Sequence, residues 1–153
     1  MAKLEVGTRA PAFTLVNQNG AKVSLKDFAG QRIVLYFYPA DDTPGCTKEA
    51  CQFNDNLKAF HSSDVTVLGV SPNSAESHQK FRKKYGLTFD LLVDPDKKVM
   101  EKYGAYGEKM MYGKKVVGVK RSTFVIGPTG KIEQAWYGVK ADGHAARVLA
   151  SLQ

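Results

Sequence analysis

Hydrophobic residues in this chain fall into short runs of two kinds. Arg32–Tyr38, "RIVLYFY", is almost continuously apolar and stops at Pro39, the pattern of a central strand buried on both faces. Val65–Val70, "VTVLGV", reads the same way and is ended by Ser71-Pro72-Asn73. Leu87–Val93, Ser122–Ile126 and Lys131–Tyr137 supply further strands, the last two around the turn "GPTG". Two short apolar runs on either side of "NQNG" predict an N-terminal β-hairpin.

Helical spacing occupies the intervals. Ser74 is a natural N-cap for a helix to Tyr85 that Gly86 stops. Asp94-Pro95 opens a second helix that runs to Tyr103 and ends at Gly104. The closing segment, "DGHAARVLASL", puts Ala145, Val148, Leu149 and Leu152 on one face. Strands and helices alternate through the middle, followed by a hairpin and a last helix. The expectation is an α/β fold: one domain over residues 1–153, with a mixed central sheet flanked by helices.

Between the first two core strands lies "YPADDTPGCTKEAC", which holds both cysteines of the chain. Thr43 suits an N-cap and Pro44 the first helical position, so Gly45 and Cys46 fall in the first turn. Ala50, Phe53, Leu57 and Phe60 follow at helical spacing and define a buried stripe that includes Cys46. Cys51 points elsewhere, roughly 140° around the axis. A thiol in the first turn meets unpaired amides and the positive end of the helix dipole, both of which favour the thiolate. Gly45 keeps the approach to that thiol open.

Composition narrows what these thiols can be. At 153 residues and 43% apolar, the chain can bury a core without disulfide staples. The N-terminus shows no secretory pattern and no run reaches the length of a membrane span, so a cytoplasmic protein is expected. The formal charge of +7 raises the possibility of nucleic acid, but the lysines are dispersed and interleaved with acids. The densest region, Lys109 to Arg121, lacks the basic-aromatic motifs of common RNA or DNA modules, and neither nucleic acid nor membrane is expected as a partner. His61, His78 and His144 sit on separate segments, so no metal site is expected. Residues five apart on an ideal helix have Cα atoms about 8.6 Å apart, beyond the roughly 7 Å limit of a disulfide. A bridge would require unwinding. On these grounds alone, two inert buried thiols and a reacting pair stand about level.

A resemblance changes that balance. Pro39, Thr43 and Cys46 stand in the Pro-x-x-x-Thr-x-x-Cys arrangement of peroxiredoxins, thiol peroxidases of thioredoxin-like fold. The longer "DDTPGCTKEAC" resembles the Q-type, or bacterioferritin-comigratory, branch, in which a second cysteine lies five positions on in the same helix. The blocks "VGTRAPAFTL", "VLGVSPNSAESHQKF", "LLVDPD" and "KRSTFVIGPTGKI" extend the likeness over nearly the whole chain. It implies that Cys46 attacks hydrogen peroxide or an organic hydroperoxide and becomes a sulfenic acid. Cys51 then resolves it as an intramolecular disulfide, and thioredoxin or a glutaredoxin-like protein reduces that.

By the same resemblance Thr43 and Arg121 hold thiolate and peroxide and Pro39 shields the pocket from water, while Gly45, for want of a side chain, lets a small substrate approach the backbone. No cofactor is implied, and a resolving cysteine in the same chain implies a monomer. Glu49, one turn after Cys46, is equally well an orienter of Arg121 or an exposed helix acid. Phe37, Tyr38 and Trp136 read as packing, and His78 as a surface or capping residue. Two other readings are a thiol-disulfide oxidoreductase, which the four-residue spacer disfavours, and a basic binding module with inert cysteines.

Overall fold

The computed structural model describes residues 3–152. Its centre is a seven-stranded mixed sheet built on β3 (Arg32–Phe37), whose side chains are buried on both faces from Ile33 onward. β4 (Val65–Ser71) lies parallel to β3, and β5 (Asp90–Val93) parallel to β4. On the other side, β8 (Ser122–Ile126) runs antiparallel to β3, and β9 (Ile132–Tyr137) antiparallel to β8. The predicted hairpin, β1 (Thr14–Val16) and β2 (Lys22–Ser24), completes the order β2-β1-β5-β4-β3-β8-β9. Its turn is longer than the two-residue type: the Asn17 side chain accepts from the amides of Asn19 and Ala21, and Gly20 takes positive φ.

Helices cover both faces. α1 (Pro44–Asp55), α2 (Leu57–Ser62), α3 (Ala75–Tyr85) and α5 (His144–Ser151) bury Phe53, Phe60, Phe81 and Val148 against one face. α4 (Lys98–Lys102) packs Val99 and Met100 into the other, with Phe13, Phe37 and Tyr103. α3 begins and ends as its sequence predicts. Ser74 Oγ accepts from Ser77 N, and Gly86 closes the helix in the left-handed region.

Four expectations are corrected. The strand predicted from Leu87 starts only at Asp90, because the Leu87 amide donates to Arg82 at the end of α3 and that of Thr88 to Asn54. The helix predicted from Asp94 starts at Lys98. The Asp94 carboxylate still accepts from Val99 N and Met100 N, across a turn that places Lys97 at positive φ. The Cys46 helix is broken at Asn56, whose side chain takes the Gln52 carbonyl; Leu57 and Phe60 keep their places in the core from α2. A second hairpin, β6 (Tyr106–Met111) with β7 (Lys114–Val119), occupies the stretch expected to be only a basic surface.

Gly69, in the middle of β4, is closely packed by the core. A Cβ there would lie 2.9 Å from Leu91 Cδ2 and 3.0 Å from the Tyr36 ring, both fixed in the core. Gly69→Ala is therefore expected to cost about 1–3 kcal/mol through overpacking. Denaturant titration measures this, and a variant as stable as wild type would show that the core yields here.

Candidate active site

β3 ends at the sheet edge where the chain must cross to α1, and the loop Tyr38–Thr43 makes that crossing. Thr43 has the extended backbone of an N-cap, yet its hydroxyl donates to the Ala40 carbonyl at 2.9 Å and does not cap the helix. The first helical bond at this end runs from Thr47 N to Thr43 O. The Gly45 and Cys46 amides precede the hydrogen-bonded ladder, as helix geometry requires. Pro39 stands half-buried in the loop.

Cys46 is 2% exposed and packs with Tyr36, Tyr38, Ala50 and Phe53. Its sulfur is not left to the apolar core. Arg121, just before β8, donates from Nη2 to Cys46 Sγ at 3.3 Å and from Nη1 to Glu49 Oε1 at 2.6 Å. The β3–β8 register makes this possible, because Phe37 faces Ser122 and so sets Arg121 beside the start of the crossing loop. Gly45 has a part that its sequence only partly suggests: a Cβ there would lie 3.2 Å from Arg121 Nη2. A side chain there would press on the guanidinium that reaches the sulfur, which would have to give by a few tenths of an ångström.

Glu49 is fully buried against Arg121, so it is not the exposed helix acid of the second reading. Its other oxygen, Oε2, has no hydrogen-bond partner among the described residues. Burial pushes this carboxyl up to about 7 from its ordinary 4.5, against the pull of Arg121. For Arg121 burial works against the charge, but Glu49 and Cys46 outweigh it and the guanidinium is held more firmly protonated than usual.

A second polar cluster fixes the crossing loop, and the sequence reading missed it. Asp41 accepts from Tyr38 Oη at 2.6 Å, Ser77 Oγ at 2.7 Å and His78 Nδ1 at 2.6 Å. His78 Nε2 meets the Leu92 carbonyl at 2.9 Å. Both ring nitrogens are thus engaged by groups from other elements. Asp42, at positive φ, is held by Lys84 Nζ at 2.8 Å and by Tyr85 Oη. The expected surface or capping role of His78 is corrected: the ring is wholly buried and ties α3 to the loop that presents Cys46. The available signal was the spacing of His78 and Phe81, which share the buried face of α3.

Cys51 is half-buried on the same unbroken helix, and both thiols are free. Burial, with Asp55 nearby, pushes its thiol up. Tyr38 and Phe37 are core residues and Trp136 packs edge-on to His144, as their apolar character suggests. His61 is exposed, His144 is buried against Thr123, and the three histidines do not converge. Among the described residues no group of three or more His, Cys, Asp or Glu side chains could hold a metal ion.

Comparison with known proteins bears on this arrangement. The model of the AhpC/TSA family matches residues 6–135, a span that takes in every residue of the site. This chain belongs to the AhpC/TSA family. A Mycobacterium tuberculosis protein assigned to the peroxiredoxins is 53% identical over 150 residues, covering 98% of this chain and 96% of its own. Peroxiredoxin Bcp of Bacillus subtilis is 43% identical over 150 residues, with the same coverage. The solved bacterioferritin comigratory protein of Xanthomonas campestris, studied for its alkyl peroxide reduction, matches with a TM-score of 0.89 and 41% identity, over 97% of each chain. Within the AhpC/TSA family the chain thus falls in the Bcp branch, with the thioredoxin-like fold of that branch.

Two measurements test the buried groups. The folded chain binds the Glu49 proton more tightly than the unfolded chain, because about 7 lies above 4.5. Stability from this carboxyl is complete below pH 4.5 and is lost as pH rises through 7. Glu49→Gln is expected to flatten that decline in denaturant midpoints taken across the window; an unchanged slope would show the proton is held elsewhere. His78→Ala breaks a buried pair and is expected to destabilise by about 3–5 kcal/mol. A loss under about 1 kcal/mol, within the range of an exposed pair, would remove the Asp41 tie from the account.

Proposed function

We propose that this chain is a thiol peroxidase whose nucleophile is Cys46. The observation that carries the reading is the Arg121 guanidinium, which bridges the Cys46 sulfur and the buried Glu49 carboxylate. A catalyst for O–O cleavage must stabilise charge on the departing oxygen, and fixed donors aimed at it are the means. Arg121 and the Gly45 and Cys46 amides are those donors, with the Thr43 hydroxyl beside them. Pro39 covers the pocket and keeps water from competing.

The reaction has three steps. The Cys46 thiolate attacks one peroxide oxygen, the O–O bond breaks, and the other oxygen leaves as an alkoxide or hydroxide that takes up a proton. Cys46 is then a sulfenic acid. The Cys51 thiolate attacks that sulfur, a disulfide forms, and the hydroxyl leaves as water. An external dithiol protein, thioredoxin or glutaredoxin-like, returns both cysteines to thiols and is itself oxidised. Hydrogen peroxide and organic hydroperoxides are both substrates in this reading.

The second step sets a structural demand. The cysteines lie on one continuous helix, about 8.6 Å apart between Cα atoms by ideal geometry, so the first turns of α1 unwind before the sulfurs meet. In the wound helix burial and Asp55 push the Cys51 thiol up, which leaves less of it as thiolate until unwinding exposes it. Every group involved belongs to one chain and one domain spanning residues 1–153, which supports a monomeric enzyme. No helix among the described residues is long and apolar enough to cross a membrane, in keeping with a cytoplasmic enzyme.

Intact mass after one equivalent of hydrogen peroxide is the direct test. Wild type is expected to lose two hydrogens rapidly, and Cys51→Ser to hold a trappable sulfenic acid on Cys46. Cys46→Ser should react no faster than an ordinary thiol. Arg121→Gln is expected to slow the first step by about 10²–10³. Slow reaction in all of these proteins, wild type included, would refute the peroxidase reading.

A further inference from the structure

Reduction of the disulfide requires a partner, and the β6–β7 hairpin has the features of the surface that receives it. Of the five large apolar side chains exposed among the described residues, four lie on this hairpin: Met110, Met111, Tyr112 and Val117. Tyr112 forms the tip with Gly113, both at positive φ as a two-residue hairpin turn requires. Asn or Asp would occupy the Tyr112 position with less strain, and a bulky ring there is an outlier. The ring makes no compensating contact with the fold, since the residue is 97% exposed. Strain kept for an outward-facing aromatic points to a use outside the chain.

The hairpin also leads to the reacting sulfurs. A groove of about 420 Å³, lined by Met110, Met111, Lys120, Arg121, Tyr137 and Val139, runs from its strands to the arginine that touches Cys46. A body seated on the hairpin and in this groove would touch Arg121, whose guanidinium lies against Cys46.

Charge selects the occupant. Between residues 106 and 120 there are four cationic residues, Lys109, Lys114, Lys115 and Lys120, against one acid, Glu108, while the neighbouring Arg121 is already paired with Glu49. Glu108 and Lys115 are 3.9 Å apart and both exposed, which neutralises little. A second copy of this chain would set these lysines against their equivalents in a two-fold contact, which is unfavourable. A bilayer would favour an apolar tip with its cations behind it. Here Met111 pairs across from Lys114 and Met110 from Lys115, so apolar and cationic side chains alternate on each face. That mosaic suits an acidic protein surface with an apolar centre.

We infer that the β6–β7 hairpin docks an acidic protein carrying a cysteine pair, which reduces the Cys46–Cys51 disulfide from the adjoining groove. The inference rests on the peroxidase reading above. One thiolate of the partner attacks a disulfide sulfur and frees the other as thiolate, giving a mixed disulfide. The partner's second thiol then displaces the remaining sulfur. Two electrons and two protons pass to this chain, and the partner leaves oxidised.

The test uses the full chain, peroxide-oxidised, with bacterial thioredoxin as the acidic protein dithiol and dithiothreitol as a dithiol that needs no docking. The variants are Tyr112→Asn, which relieves strain at the tip, and the double change Lys114→Glu with Lys115→Glu. Each is expected to slow recycling by thioredoxin about tenfold, leaving the peroxide step and recycling by dithiothreitol unchanged. Rising ionic strength should slow wild-type recycling by thioredoxin alone. Unaltered thioredoxin rates in both variants would overturn the proposal, as would a wild-type disulfide that dithiothreitol reduces and thioredoxin does not. Sedimentation with anionic vesicles, or a concentration-dependent dimer, that is lost in the double variant while thioredoxin rates hold would assign the hairpin elsewhere and also overturn it. A wild type that forms no disulfide with peroxide fails earlier, at the peroxidase reading itself.

Discussion

The site depends on a charged group being held where a folded chain would ordinarily exclude it. Glu49 is wholly buried with one oxygen unpartnered among the described residues, and a carboxylate so placed is costly unless a cation stands against it. Arg121 meets that need at 2.6 Å, and the same contact fixes where its second nitrogen points. That nitrogen reaches the Cys46 sulfur. The arginine is thus aimed by a buried acid from the helix that carries the thiol, three residues further on. Cys46, Glu49 and Arg121 form a triangle in which each position constrains the other two.

Around this triangle the fold supplies rigidity from unrelated directions. The antiparallel register of β3 and β8 delivers Arg121, and the α1 helix delivers Cys46 and Glu49. Gly45 spares the guanidinium a tight contact with the first turn of the helix. The crossing loop would otherwise be the weakest support, since it includes Asp42 at positive φ. It is fastened instead to α3, by Asp41 on His78 and Ser77 and by Asp42 on Lys84 and Tyr85. Stiffness in the loop therefore comes from long-range polar ties and not from local helix capping, to which the Thr43 hydroxyl does not contribute.

This division explains what the sequence made legible. Strands with continuous apolar runs and helices with a cap and a stopping glycine could be read directly, because their signals are local: β3, β4, β8 and α3 stand where predicted. The pairing of Cys46 with Arg121 was legible only through a family likeness, since 75 residues separate them and no local rule joins them. Glu49 was left open for the same reason, its burial being a property of the packed helix. His78 was misjudged because a histidine among charged residues on a helix resembles a surface residue until the opposite element is known. The β6–β7 hairpin escaped because its tip is Tyr112-Gly113 where Asn-Gly is the usual signal, and because lysines interrupt its apolar alternation.

The same ties bear on what a Cys46–Cys51 bridge demands. Above Cys46, the loop is held to α3 through Asp41 and Asp42. Below Cys51, Gln52 donates to Asp142 and accepts from the Gly143 amide, while Asn54 contacts Gly86 and Thr88. Unwinding that brings the sulfurs together is thereby confined to the residues between these two sets of clamps, Thr43 to Cys51. That stretch begins without a side-chain cap and contains Gly45, which weakens a helix. The Glu49–Arg121 contact is its chief long-range polar hold, and moving Glu49 out of the core ends the penalty of burying its carboxylate. In the peroxidase reading, the interaction that positions the thiol for attack is thus also one whose release opens the way to the next step.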